Sequence, residues 1–166
     1  MKTKYKILFV CLGNICRSPA AEGIMKKLLK EEGLSGQIGV DSAGLLDFHE
    51  GELPDPRMRE HALERGYTLD SPSRPVVPAD FEMFDLIIGM DNSNYNRLRD
   101  MALDLESTQK VHRMREYLRH HTHDHIPDPY SGGAKGFELV LDLLEDGCRG
   151  LLDEIRTNLN FVNEEF

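Results

Sequence analysis

Cysteine is scarce in this chain of 166 residues: there are three, and two of them, Cys11 and Cys16, stand five positions apart. An odd count at that spacing excludes a structural disulfide framework and fits a reducing cytoplasm. Basic residues are also in deficit, with 20 Lys and Arg against 29 Asp and Glu, for a formal net charge of −9. Phosphate-backbone binding needs clustered Lys and Arg, so nucleic acid is not an expected partner, and polyanionic substrates would be repelled. No apolar run nears the length of a bilayer span, so no membrane partner is expected. Met1-Lys2-Thr3-Lys4 is basic, but the six residues after it are too few for the apolar core of a secretory signal. Internal repeats are lacking as well. What remains, 40% hydrophobic and 30% charged, is the composition of a soluble globular protein, and the length fits one domain over residues 1–166 with a real core.

The pattern alternates strands with helices. Tyr5-Lys6-Ile7-Leu8-Phe9-Val10 is a buried strand over 5–10, and Ala20, Ala21, Ile24, Met25, Leu28 and Leu29 mark a helix over 18–32. A turn over Gly33 to Gly39 leads to a second strand, 38–42. Then come a loop over 43–56, a helix over 57–65 closed by Gly66, and a Pro/Ser-rich connection at 71–78. Phe84 to Met90 is a strand buried on both faces, followed by a helix over 94–104 with Asp91 or Asn92 as its cap. A fourth strand is expected over 109–114, then a His-rich stretch through 125. A last helix spans 135–159, with a kink or break expected at Gly147 and Gly150. This order implies an α/β fold with a parallel sheet covered on both faces and a ligand site at the carboxyl ends of the strands.

Cys11 falls at such an end. In Cys11-Leu12-Gly13-Asn14-Ile15-Cys16-Arg17-Ser18 a cysteine, a short loop and an arginine lie between a strand and a helix. Free N–H groups and the positive end of a helix dipole converge there, which suits a bound phosphate and lowers the pKa of a nearby thiol. Cys11 is the candidate nucleophile. The amides of residues 12–18 are the candidate cradle, and Arg17 the bidentate grip on two phosphate oxygens. Gly13 permits a backbone dihedral that other residues resist, and Asn14 tolerates the left-handed region and can tie the loop down. Ser18 is read as a helix cap and a donor to the Cys11 thiolate. Two small buried cysteines at a junction would be the plainer explanation, but the string Val-Cys-x-Gly-Asn-Ile-Cys-Arg-Ser-Pro is far more specific than a bare C-x5-R. A leaving alkoxide or phenolate also needs a proton donor. Asp128, between Pro127 and Pro129 and ahead of Gly132-Gly133, is a candidate for a positioned yet mobile loop; on the residues alone a turn-forming aspartate explains it equally well.

At residues 10–19, Asp41-Ser42-Ala43-Gly44, Pro54-Asp55-Pro56-Arg57, Phe84-Asp85 with Met90-Asp91, and Asp128-Pro129-Tyr130, the chain resembles the low-molecular-weight protein tyrosine phosphatases over nearly its whole length. The resemblance implies a three-layer α/β/α sandwich with a four-stranded parallel sheet. It also implies hydrolysis of tyrosine-phosphorylated proteins or peptides through a phosphocysteine, with Asp128 as general acid and then base. No cofactor and no metal are needed, and a monomer or weak dimer is expected. Ser42 is implied as the partner of Asn14, and Leu12, Phe48, His49 and Tyr130 as the substrate rim. Two positions depart from the pattern: Ser131 stands where a second aromatic is frequent, and Ser71 where a histidine assists the loop.

Three rivals remain to be weighed. Arsenate reduction passes a disulfide along three cysteines, and the region 80–92 has none, while Cys148 lies in the final helix as packing. Protein-arginine phosphatases typically carry threonine before the second loop cysteine, and here that residue is Ile15. A non-catalytic phosphate-binding module would need neither nucleophile nor acid. Cys16 is placed to trap an oxidised Cys11 as a reversible disulfide. His120, His121, His123 and His125 with Asp124 are consecutive polar residues that fold poorly around one ion, so they are read as a solvated loop leading to the acid.

Overall fold

The computed structural model describes residues 5–129 and 133–159. Strand β1, Tyr5–Cys11, runs into helix α1, Arg17–Glu31, and strand β2, Ile38–Gly44. Helices α2, Pro56–Glu64, and α3, Asp80–Met83, precede strand β3, Leu86–Gly89. Helices α4, Asn92–Met101, and α5, Leu105–Gln109, lead to strand β4, Val111–Arg113, a 3₁₀ turn at Met114–Tyr117, and the long helix α6, Ala134–Leu159. The four strands form one sheet in the order β2-β1-β3-β4, and all the pairings are parallel.

Strand periodicity divides β1 between two cores. Ile7, Phe9 and Cys11 face a large cluster built with α1, α2 and α6, including Ile24, Met58, Phe137 and Leu144. Leu8 and Val10 face the opposite cluster with Phe81, Phe84 and Leu98 from the α3 and α4 side. Helices on both faces of a parallel sheet make the expected three layers. The chain leaves β1 toward β2 on one side and returns to β3 on the other, so the direction of winding reverses between β1 and β3. The loops after these two strands diverge and open a crevice there.

Element types agree with the sequence reading, with three corrections. Helices α3 and α5 are short pieces where no helix was expected; α4 ends at Met101, and Asp104, the expected last residue of that helix, instead caps α5 by accepting from the Ser107 N–H at 2.7 Å. Ser18 does not cap α1, which already begins at Arg17 with Cys16 at its N-cap position. The third concerns α6, which passes through Gly147 and Gly150 as one 26-residue helix. The two glycines serve close packing: a Cβ on Gly150 would stand 2.0 Å from the Tyr117 carbonyl oxygen, and one on Gly147 would stand 2.6 Å from Met114 Cε. The 3₁₀ turn is thereby seated on the helix backbone, and its contact offsets the ~1 kcal/mol helix cost of each glycine.

Candidate active site

Cys11, 3% exposed, ends β1 at the floor of a cleft of about 250 Å³. Leu12, Gly13, Ile15, Cys16, Arg17, Leu46, Phe48, His49 and Asp128 complete its lining. The loop's carbonyls are drawn outward. Leu45 N–H donates to the oxygens of Cys11 and Leu12, Leu46 N–H to Leu12, Ser73 Oγ to Gly13, and Asp55 N–H to Ile15. A trans peptide points its N–H opposite to its carbonyl, so the amides of Leu12, Gly13, Asn14 and Cys16 turn to the other side. With the N-terminus of α1 beside them, they form a concave set of donors suited to an oxyanion.

The bend comes from Asn14 at φ 57°, whereas Gly13 is not in the left-handed region. Gly13 is instead a matter of space, since a Cβ there would meet the His49 ring at 3.1 Å. Asn14 is buried and uses its whole amide. Its Nδ2 donates to Ser18 Oγ at 2.8 Å and Ser42 Oγ at 3.0 Å, and its Oδ1 accepts from Arg74 N–H at 3.1 Å.

These bonds set donor and acceptor behind Cys11. Glu22 Oε1 accepts from Ser42 Oγ at 2.6 Å, so Ser42 spends its proton there and accepts from Asn14. Ser18 likewise accepts from Asn14; its Oγ lies 3.0 Å from Cys11 Sγ and 3.5 Å from the Ala43 carbonyl oxygen, and the sulfur is the nearer of the two partners. A buried carboxylate is thus linked to the residue beside the sulfur through Ser42 and Asn14. Glu22, 2% exposed, had no place in the sequence reading, because a glutamate in an amphipathic helix looks like a solvated charge. Ser71 joins the same network by donating to Glu22 Oε2 at 2.7 Å, so the departure from histidine keeps a hydrogen bond at that position.

Arg17 is 3% exposed and fixed from two sides. One terminal nitrogen donates to Asp91 Oδ2 at 2.8 Å and to the Ile126 carbonyl at 2.9 Å, and the other lies 3.8 Å from Asp128 Oδ2. Asp91 also caps α4 by accepting from Asn94 N–H at 2.7 Å. The loop after β3 therefore holds the arginine of the loop after β1 across the crevice that the strand order creates.

A model of the family described as low molecular weight phosphotyrosine protein phosphatase matches residues 6–161. The chain belongs to that family. A protein tyrosine phosphatase from Entamoeba histolytica is similar in structure, with TM-score 0.91 and 47% identity over 93% of this chain and 98% of that one. The low molecular weight protein-tyrosine-phosphatase YfkJ of Bacillus subtilis is 40% identical over 90% of this chain and 95% of its own. A Drosophila arginine phosphatase is also similar, with TM-score 0.85 and 34% identity over 91% of this chain and 98% of that one.

Around this phosphatase cleft the rim is apolar and open. Phe48 is 80% exposed and meets the His49 ring edge-on at 4.9 Å. His49 Nδ1 lies 3.0 Å from Glu52. Leu12 and Leu46 are partly exposed beside them. Leu46 was absent from the sequence reading, which took its rim from the positions that match the family, Leu12, Phe48, His49 and Tyr130. Tyr130 and Ser131 lie outside the described residues.

Burial, with the nearby charges of Asp55 and Asp128 and with Cys11, pushes the Cys16 thiol well up, so Cys16 stays protonated at neutral pH. Cys148 is fully buried, its thiol also pushed up by burial, and Sγ faces the Ala21 carbonyl at 3.7 Å. Of the histidines, His121 bonds Asp146 and His125 bonds Asp124, and among the described residues no three His, Cys, Asp or Glu side chains are grouped to hold a metal ion. Among the described residues, no helix is long and apolar enough to cross a membrane.

Proposed function

We propose that the chain, acting as one domain over residues 1–166, hydrolyses phosphotyrosine in proteins or peptides in two displacements at Cys11. The thiolate attacks phosphorus, the S–P bond forms, and the P–O bond to the tyrosine ring breaks as Asp128 gives its proton to the departing oxygen. Asp128, now a carboxylate, takes a proton from water; the water oxygen attacks phosphorus, the P–S bond breaks, and inorganic phosphate leaves. The amides of residues 12–18 and Arg17 neutralise the equatorial oxygens, so no metal or cofactor enters either step. Leu12, Phe48, His49 and Tyr130 receive the aromatic ring. The observation that carries this reading is one cleft with Cys11 Sγ at its floor, Ser18 Oγ 3.0 Å from the sulfur, and Arg17 and Asp128 in its wall.

Ile15 in the cleft wall favours a tyrosine ester over phosphoarginine. On a peptide panel, kcat/KM for phosphotyrosine is expected to exceed that for phosphoarginine by at least ~10-fold, a margin one apolar contact can supply. The reverse order would make the chain an arginine phosphatase, and phosphate binding with no turnover of any peptide would leave a binding module.

Cys16 is proposed as the resolving thiol for an oxidised Cys11, as a sulfenic acid at Cys11 would condense with it, losing water. Thiol should then restore the peroxide-treated parent but not the Cys16→Ser variant; equal recovery of both would remove this role. The three free thiols fit a cytoplasmic setting. A monomer or weak dimer is proposed, which a stable higher oligomer in sedimentation velocity would contradict.

A further inference from the structure

The His-rich stretch before the acid loop is held by one carboxylate. Asp146, on α6 and 8% exposed, accepts from three successive backbone N–H groups. Arg119 N–H lies 3.2 Å from each of its oxygens, and Oδ2 accepts from His120 N–H at 2.9 Å and His121 N–H at 3.0 Å. His121 Nδ1 completes the set at 2.9 Å from Oδ2. Residues 119–121 form no helix or strand, so Asp146 supplies the acceptor that secondary structure would otherwise provide. The Arg119 side chain adds bonds to the Gly150 carbonyl at 3.3 Å and Asp153 Oδ2 at 2.9 Å, about one and two turns further along α6.

Thr122, His123, Asp124 and His125 follow, all exposed. The chain then reaches Ile126, fully buried, whose N–H donates to the Met90 carbonyl at 2.9 Å and whose carbonyl accepts from Arg17 at 2.9 Å. Asp128 lies two residues on, and α6 begins at Ala134. Both ends of the segment that carries Asp128 are thus fixed to one helix, at positions 146 and 134, ~18 Å apart at 1.5 Å per residue. Four exposed residues separate the tether at Asp146 from Ile126, which is held beside Arg17 by its own bonds.

We propose that Asp146, with His121 as its side-chain partner, is a positioning residue for the general acid: it places Asp128 over the leaving-group oxygen without touching substrate. This rests on Asp128 being the acid. A support that merely stabilised the fold would lower turnover of every substrate alike. A support that acts through Asp128 lowers the rate of phosphoenzyme formation, read as kcat/KM, most where the leaving group needs a proton.

The test compares kcat/KM, which reports the phosphorylation step alone, for phenyl phosphate and p-nitrophenyl phosphate in Asp146→Asn, alone and in an Asp128→Ala background, with inhibition by inorganic phosphate as a check on the cradle. Expected is a ~10-fold loss with phenyl phosphate and less than ~3-fold with p-nitrophenyl phosphate, part of the ~10²–10⁴-fold that general acids supply. Phosphate inhibition should be unchanged, and in the Asp128→Ala background no further loss should appear. Equal loss on both esters, or a full additional loss without Asp128, would overturn the proposal. Should Asp146→Asn fail to fold, His121→Ala, which removes one half-buried imidazole, must give the same pattern at smaller amplitude; a uniform effect or none would overturn it equally. Asp128→Ala alone reads the underlying assignment: if its loss ignores the leaving group, the acid role itself falls.

Discussion

Replacing Cys11 by serine is expected to abolish turnover, with a loss of at least ~10⁴-fold in kcat, while phosphate still binds. Serine keeps nearly the same volume at a site 3% exposed, so the fold has no cavity to absorb. Its hydroxyl is not ionised near neutrality, and the site offers no base to take its proton. The Ser18 hydroxyl lies 3.0 Å from the sulfur, with Asn14, Ser42 and Glu22 hydrogen-bonded behind it. The amides of the loop and the Arg17 guanidinium are untouched, so affinity for inorganic phosphate should hold within a few-fold. Measured turnover within ~10-fold of the parent would place the nucleophile elsewhere.

Asp128→Ala is expected to give the next largest effect, and a selective one. Its side chain is 49% exposed, and substitutions at such positions seldom change stability by more than ~0.5 kcal/mol, so the loss reads chemistry and not unfolding. With phenyl phosphate, whose leaving group is strongly basic, kcat/KM, which reports the phosphorylation step, should fall by ~10²–10³-fold, within the range of general acid catalysis. With p-nitrophenyl phosphate, which departs as a stable anion, the fall should be at least several-fold smaller. A plot of log kcat/KM against leaving-group pKa, nearly flat in the parent, should acquire a steep negative slope. Equal losses across the series would show that Asp128 serves binding or loop order instead.

The octapeptide made the chemistry legible because its function depends on chain-local geometry. A strand end, a bend at Asn14 and a helix start are all written in consecutive residues, although the bonds that hold the loop's carbonyls come from residues 45, 46, 55 and 73. The layered sheet was legible for a similar reason: β1 and β3 are buried on both faces and read as continuous apolar runs. What escaped was whatever depends on a distant partner. Glu22 reads as a surface charge until Ser42 and Ser71 are brought to it. Asp91 reads as a cap, which it is, but its grip on Arg17 appears only once the strand order sets β3 beside β1. Gly147 and Gly150 have the composition of a helix break, and only the Met114–Tyr117 turn lying against them explains why the helix continues. Ser18 misled in the other direction, because a serine near a helix start is a good cap on propensity, and its hydroxyl lies beside Cys11 Sγ instead.

The central claim is a covalent phosphoenzyme on Cys11, and rapid mixing with excess p-nitrophenyl phosphate, quenching within one turnover and peptide mapping by mass spectrometry test it most directly. One phosphoryl group should be found on the peptide carrying Cys11, attached through sulfur, with a burst of p-nitrophenol matching the enzyme concentration. No phosphoenzyme and no burst in Asp128→Ala, where slowed attack on water should let the intermediate accumulate, or a phosphoryl group on any other residue, would contradict it.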